Sequence, residues 1–187
     1  MRSAVVLAVA LLALPRAAAP GSASAPGADE LAAGVPAANG EACQTGVVLD
    51  DGSLETAYGW VPSVIDGRYV QEFSRSMFPG GRIESVCICW TRTLPDDEVE
   101  LALHLYRDVG GSPARYAYAR TNVVASAVPS YPDGAFYQFD VPPEDWTIPS
   151  ETFYVGVRWN PSVDGFFFVC ADRSPETPVV DGWFIDD

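Results

Sequence analysis

The sequence contains no lysine. All 11 basic residues are arginine, set against 25 acidic residues and one histidine, for a net charge of −14. A surface this negative repels phosphate backbones and anionic bilayers, so neither a nucleic-acid partner nor membrane insertion is expected. The scarcity of histidine narrows the chemistry as well. A serine or cysteine nucleophile needs a neighbouring base, and the only histidine, His104, alternates with Leu101, Leu103 and Leu105 and so lies on the opposite strand face. Gly-x-Ser-x-Gly, His-Glu-x-x-His, a P-loop and a dinucleotide fingerprint are all absent.

Long apolar runs are also missing, with one short exception. Ser3 to Leu14 is apolar almost throughout, but it is shorter than the ~20 residues a bilayer span requires. Arg2 precedes it, Pro15 ends it, and Ala17-Ala18-Ala19 follows. This is the anatomy of a secretory signal over residues 1–19. Residues 20–42 are rich in Ala, Gly, Pro and Ser. They carry too little apolar surface to offset the entropy of ordering and are expected to form a flexible lead. The domain is then residues 43–187. Without the leader two arginines and no acid are lost, leaving nine basic against 25 acidic residues, a net of −16. Arginine in place of lysine beside an Ala-rich leader fits a GC-rich coding sequence, and hence a high-GC bacterium.

What is present is β patterning. Val99 to Tyr106 alternates apolar and polar residues almost without fault, and Tyr69–Phe78, Ile83–Thr93, Tyr116–Val124, Ala135–Val141, Thr152–Asn160, Phe166–Cys170 and Trp183–Ile185 are strand-like runs rich in β-branched and aromatic residues. Asp66-Gly67, Pro79-Gly80-Gly81, Gly110-Gly111-Ser112-Pro113, Pro132-Asp133-Gly134 and Asp164-Gly165 separate them as turns. A short turn is expected near Pro143 to Trp146. Many short strands with Gly and Pro turns predict an all-β fold, an antiparallel β-sandwich or jelly roll. Phe166 to Val169 is apolar on both faces, as a central strand would be. The strand-like Trp183–Ile185 closes the sheet or marks a break in a longer protein.

Four cysteines in an exported chain imply disulfides. Cys87 and Cys89 sit two apart on one strand face, and extended backbone holds them too far apart to join. Cys43 then pairs with one of them and Cys170 with the other, in either arrangement.

Two groups of residues are candidates for binding. Asp50, Asp51 and Glu55, joined by Asp172, offer hard oxygens of the kind calcium takes, though the spacing is not an EF-hand and an Asp-Gly turn with solvated acids explains it as well. Calcium is the one cofactor in view. Among many aromatics, Tyr116, Tyr118, Trp60 and Trp146 are the candidate platform for stacking on a sugar or a cell-surface ligand.

The segment Leu105-Tyr106-Arg107-Asp108-Val109-Gly110-Gly111-Ser112-Pro113, with strands Val86–Trp90, Tyr137–Val141 and Tyr154–Trp159, resembles a jelly-roll-like accessory domain repeated in many bacterial secreted proteins. The likeness covers residues 46–187. It implies export, a sandwich fold and an accessory role, and it carries over no catalytic residue. Ala114 stands where that turn has glycine. The expectation is therefore a secreted or periplasmic, non-catalytic β-sandwich that binds or presents. The alternative is an extracellular hydrolase acting on glycans, for which 25 acids make some carboxylate pair inevitable and so give no specific signal.

Overall fold

A computed structural model describes residues 56–59, 67–160 and 166–172 (backbone only at 56, 58, 67, 171 and 172), Cys43, Val47, and the backbones of the short strands at 6–7, 9–11, 32–33, 35–36 and 182–186. The strands in chain order are β1 Val6–Leu7, β2 Val9–Leu11, β3 Ala32–Ala33, β4 Val35–Pro36, β5 Thr56–Tyr58, β6 Gly67–Ser74, β7 Ser85–Arg92, β8 Val99–Arg107, β9 Ala119–Ala125, β10 Ala135–Asp140, β11 Thr152–Trp159, β12 Phe167–Asp172 and β13 Gly182–Asp186. They form two sheets. One runs β1-β12-β7-β10-β4, with β2 also on β7 and β5 also on β12. The other runs β13-β6-β11-β8-β9-β3. Every pairing is antiparallel except β3 with β9. The protein is all-β, as its alternation and turns predict.

From β5 onward the chain changes sheet at every step except the β8–β9 hairpin. Successive strands therefore face each other across the core, the jelly-roll-like arrangement. Period-two alternation supplies that core. Tyr69 and Phe73 of β6, Leu101, Leu103 and Leu105 of β8, and Val155, Val157 and Trp159 of β11 meet Val86, Ile88 and Trp90 of β7 and Tyr137 and Phe139 of β10. Trp159 stacks on Tyr69 at 5.3 Å and meets Trp90 edge-on at 5.0 Å between ring centroids.

Two boundaries differ from the sequence pattern. The first long strand stops at Ser74, because Arg75–Met77 forms a 3-10 turn whose start is capped by the Ser74 hydroxyl, and Arg75 N–H turns to the Glu151 carbonyl. Strand β9 begins at Ala119, so Tyr116 and Tyr118 lie ahead of it. A turn does form at Pro142–Trp146, where Asp145 and Trp146 both donate to the Pro142 carbonyl. Within Phe166–Val169, Phe167 and Val169 are core, and β12 is bonded on both edges, by β7 and by β5 and β1.

The disulfides are Cys43–Cys87 and Cys89–Cys170. Cys87 and Cys89 share the outer face of β7, as their spacing requires, while Val86, Ile88 and Trp90 point inward. Phe136, opposite Cys89 on β10, packs against both bridges. All four cysteines are bonded. Paired cysteines indicate an oxidising compartment outside the cytosol. Among the described residues no helix is long and apolar enough to cross a membrane.

Candidate functional site

The outer face of the six-stranded sheet should be the wet one, yet its middle is buried. Three registered rows explain its composition. Glu72, Tyr154 and Tyr106 lie side by side on β6, β11 and β8. Next come Val70, Gly156, His104 and Arg120. Beyond them lie Arg68, Arg158, Ala102 and Asn122. Tyr106 and Tyr154 are fully buried, Val70 nearly so, and His104 is 4% exposed.

Gly156 makes this layer possible. A Cβ there would sit 2.5 Å from Val70 Cγ1, 2.9 Å from the Tyr69 carbonyl and 3.4 Å from the Tyr106 ring. With glycine in place, the Tyr106 ring lies down across β11. Its hydroxyl reaches His104 Nδ1 at 2.5 Å and accepts from Arg68 Nη1 at 3.2 Å. Tyr154 donates its hydroxyl to Asp108 Oδ1 at 2.8 Å. Burial pushes the Tyr154 phenol well up from its ordinary value, and the Asp108 hydrogen bond and the nearby Glu72 carboxylate add to that shift.

Asp108 links this layer to the surface. Its second oxygen, Oδ2, accepts from Gly111 N–H at 3.2 Å, and its own N–H donates to Ser150 Oγ. Gly110 and Gly111 both take positive φ, 67° and 82°, which side-chain-bearing residues rarely adopt. The turn closes with Ala114 N–H on the Arg107 carbonyl. The chain then crosses the outer face. Ala117 packs on Val70, Tyr106 and Tyr154, and Tyr118 N–H bonds the Leu105 carbonyl. That crossing delays pairing with β8 until Ala119 and leaves Tyr116 75% and Tyr118 58% exposed.

The exposed rings border a shallow cavity of about 340 Å³, lined by Arg107, Val109, Arg115, Tyr116 and Tyr118 with two alanines between them. The Arg115 guanidinium lies 5.4 Å from the Tyr116 ring centroid. A second concavity of about 330 Å³ lies between Arg75, Gly80 and Glu151. At the other end of the sandwich Tyr131 and Phe168 border one of about 190 Å³ with Thr93 and Ala57.

The four candidate platform aromatics are therefore not brought together. Tyr116 and Tyr118 are surface neighbours. Trp146 is completely buried among the core aromatics, where its indole N–H donates to Thr121 Oγ1 at 3.0 Å, so it presents no face to a ligand. Trp60 lies outside the described residues, as do Asp50, Asp51, Glu55 and the Asp172 side chain. Among the described residues no three His, Cys, Asp or Glu side chains gather as a metal group.

Sequence reading placed His104 on the second face but missed the layer around it. The available signal was Tyr154-x-Gly156 beside His104-x-Tyr106: two buried-size rings facing away from the leucines, with a gap to receive one of them. Arg107 and Arg115 were missed as well, because a turn that brings both to one cavity is not encoded in periodicity. Comparison with protein-family models, curated proteins and solved structures finds no match for this chain.

Proposed function

We propose that this is a secreted, non-catalytic binding module whose ligand is a glycan on a cell surface or in the surrounding matrix, met at Tyr116 and Tyr118. One observation carries the reading: two tyrosines stand more than half exposed beside a shallow cavity, on a turn fixed from below. Large rings are usually core in β-proteins, and a pair held outward against that tendency costs solvation without gain unless it meets something. Tyrosine suits a sugar, offering an apolar face to C–H groups and a hydroxyl to hydrogen-bond. The fixed base matters because a loop ordered only on binding would give up affinity to entropy.

A glycan-array screen of the oxidised protein tests this. The wild type is expected to retain a defined set of saccharides, and the Tyr116→Ala/Tyr118→Ala double variant to lose them while its melting temperature stays within a few degrees. Retention unchanged in the double variant would move the site elsewhere. No retention by either protein would remove the glycan reading.

A further inference from the structure

The charge around the tyrosines is opposite to that of the molecule. The chain carries 25 acidic residues, yet among the described residues no acid lines the Tyr116–Tyr118 cavity, whereas two arginines, Arg107 and Arg115, do. Neither guanidinium makes a hydrogen bond or ion pair with any described residue. Arg115 has only the Tyr116 ring, and both arginines are exposed. The acid nearest in sequence, Asp108, has its oxygens turned to Tyr154 and Gly111 and does not neutralise them. In a protein with such an excess of carboxylates, an arginine pair without a hydrogen-bond partner among the described residues, beside two open rings, is a place where an anion meets less repulsion and ready donors. The planar guanidinium fork fits carboxylate and sulfate oxygens in pairs.

We infer that the ligand of this site is an anionic saccharide, its sugar ring stacked on Tyr116 or Tyr118 and its acidic group, a uronate carboxylate or a sulfate ester, held by Arg107 and Arg115. This rests on the glycan reading above and narrows it to one chemical class. The protein's overall charge sets a further condition. A long polyanion is repelled by the rest of the surface, so short or sparsely charged segments are favoured over densely charged chains.

The test is an NMR titration of the oxidised, isotope-labelled protein at low salt with three sets of trisaccharides: uronates, the same uronates after carboxyl reduction, and sulfated neutral sugars. The uronates are expected to bind up to about fivefold tighter than their reduced forms, the upper end of what one solvent-exposed charge pair gives. The Arg107→Gln/Arg115→Gln variant, whose spectrum reports whether the fold is intact, is expected to bind both forms alike. Preference for the sulfated set, lost in the same variant, supports the inference with sulfate as the group. Equal binding of the uronates, their reduced forms and the sulfated sugars by the wild type overturns the anionic class and leaves the glycan reading standing. A preference that survives the double variant overturns the arginine assignment. Binding of none of the three sets overturns both readings.

Discussion

The two outer faces of the sandwich are buried by different means. On the seven-stranded sheet, Cys87 and Cys89 of β7 are tied to Cys43 and Cys170, and Phe136 fills the space against both bridges. On the six-stranded sheet there is no covalent link; Tyr106 is hydrogen-bonded to His104 and Arg68, and Tyr154 to Asp108, beneath the 108–118 crossing. A disulfide acts mainly on the unfolded chain, so its effect depends little on the neighbours' packing. A buried polar layer is stabilising only while each member has a partner, and loss of one exposes the cost of the rest. The covalent face is therefore tolerant and the polar face exacting. The exacting face is the one that carries the Tyr116–Tyr118 turn.

The largest expected effect breaks the covalent side. The bridges close loops of 44 and 81 residues, worth about 4 and about 4.5 kcal/mol in the chain-entropy account. Cys43→Ala/Cys87→Ala and Cys89→Ala/Cys170→Ala should each lower urea-unfolding stability by roughly that amount. Because the loss acts through the unfolded state, Tyr116 and Tyr118 should stay in place, and glycan retention should persist wherever the variant is folded.

The polar side should break with smaller losses and wider consequences. Gly156→Ala sets a Cβ against the Tyr69 carbonyl, which cannot swing away, and against Val70. It should cost about 1–3 kcal/mol by overpacking. Tyr106→Phe removes the hydroxyl shared by His104 and Arg68 and should cost about 1–3 kcal/mol from the buried groups left behind. Both are measured by denaturant unfolding, with amide exchange at residues 110–118 as the second readout. Faster exchange there in these variants, and not in the cysteine variants, would establish that the polar face supports the turn. Equal exchange in all four would show that the turn stands on its own.

Much of the fold was legible because its signals are local. Alternation in Val99–Tyr106 follows from strand geometry, and the i, i+2 spacing of Cys87 and Cys89 fixes a shared face whatever the rest of the chain does. Partner choice between Cys43 and Cys170 was not legible, since it depends on which strands flank β7, a long-range fact. The same holds for Trp146. Its Pro-Pro-Glu-Asp flank reads as exposed turn, and only the closure of the two sheets over residues 142–148 buries it. Tyr116 and Tyr118 were legible as exposed for a mistaken reason. They were assigned to a strand face, whereas they project from the crossing ahead of β9, where hydrogen bonding to Leu105 and packing of Ala117 hold the chain.

The smallest effect distinguishes the faces by pH. Burial raises the Tyr154 phenol above its ordinary 10.0, with Asp108 and Glu72 adding to the shift, and burial with Asp97 raises Tyr137 in the core. For a group raised in the folded state, the folded form holds its proton after the unfolded form has lost it. The stabilisation is then complete below about pH 10 and declines as pH rises beyond it. Melting temperature should accordingly fall with pH from about pH 10 upward, and Tyr154→Phe should flatten that fall, leaving the share that belongs to Tyr137. The cysteine-pair variants should start lower and keep the wild-type slope, because the bonded cysteines carry no titrating thiol and the substitutions leave Tyr154 and Tyr137 in place. A Tyr154→Phe protein with an unchanged slope would mean that the phenol ionises in the folded state, and that the polar layer is wetter than its hydrogen bonds imply.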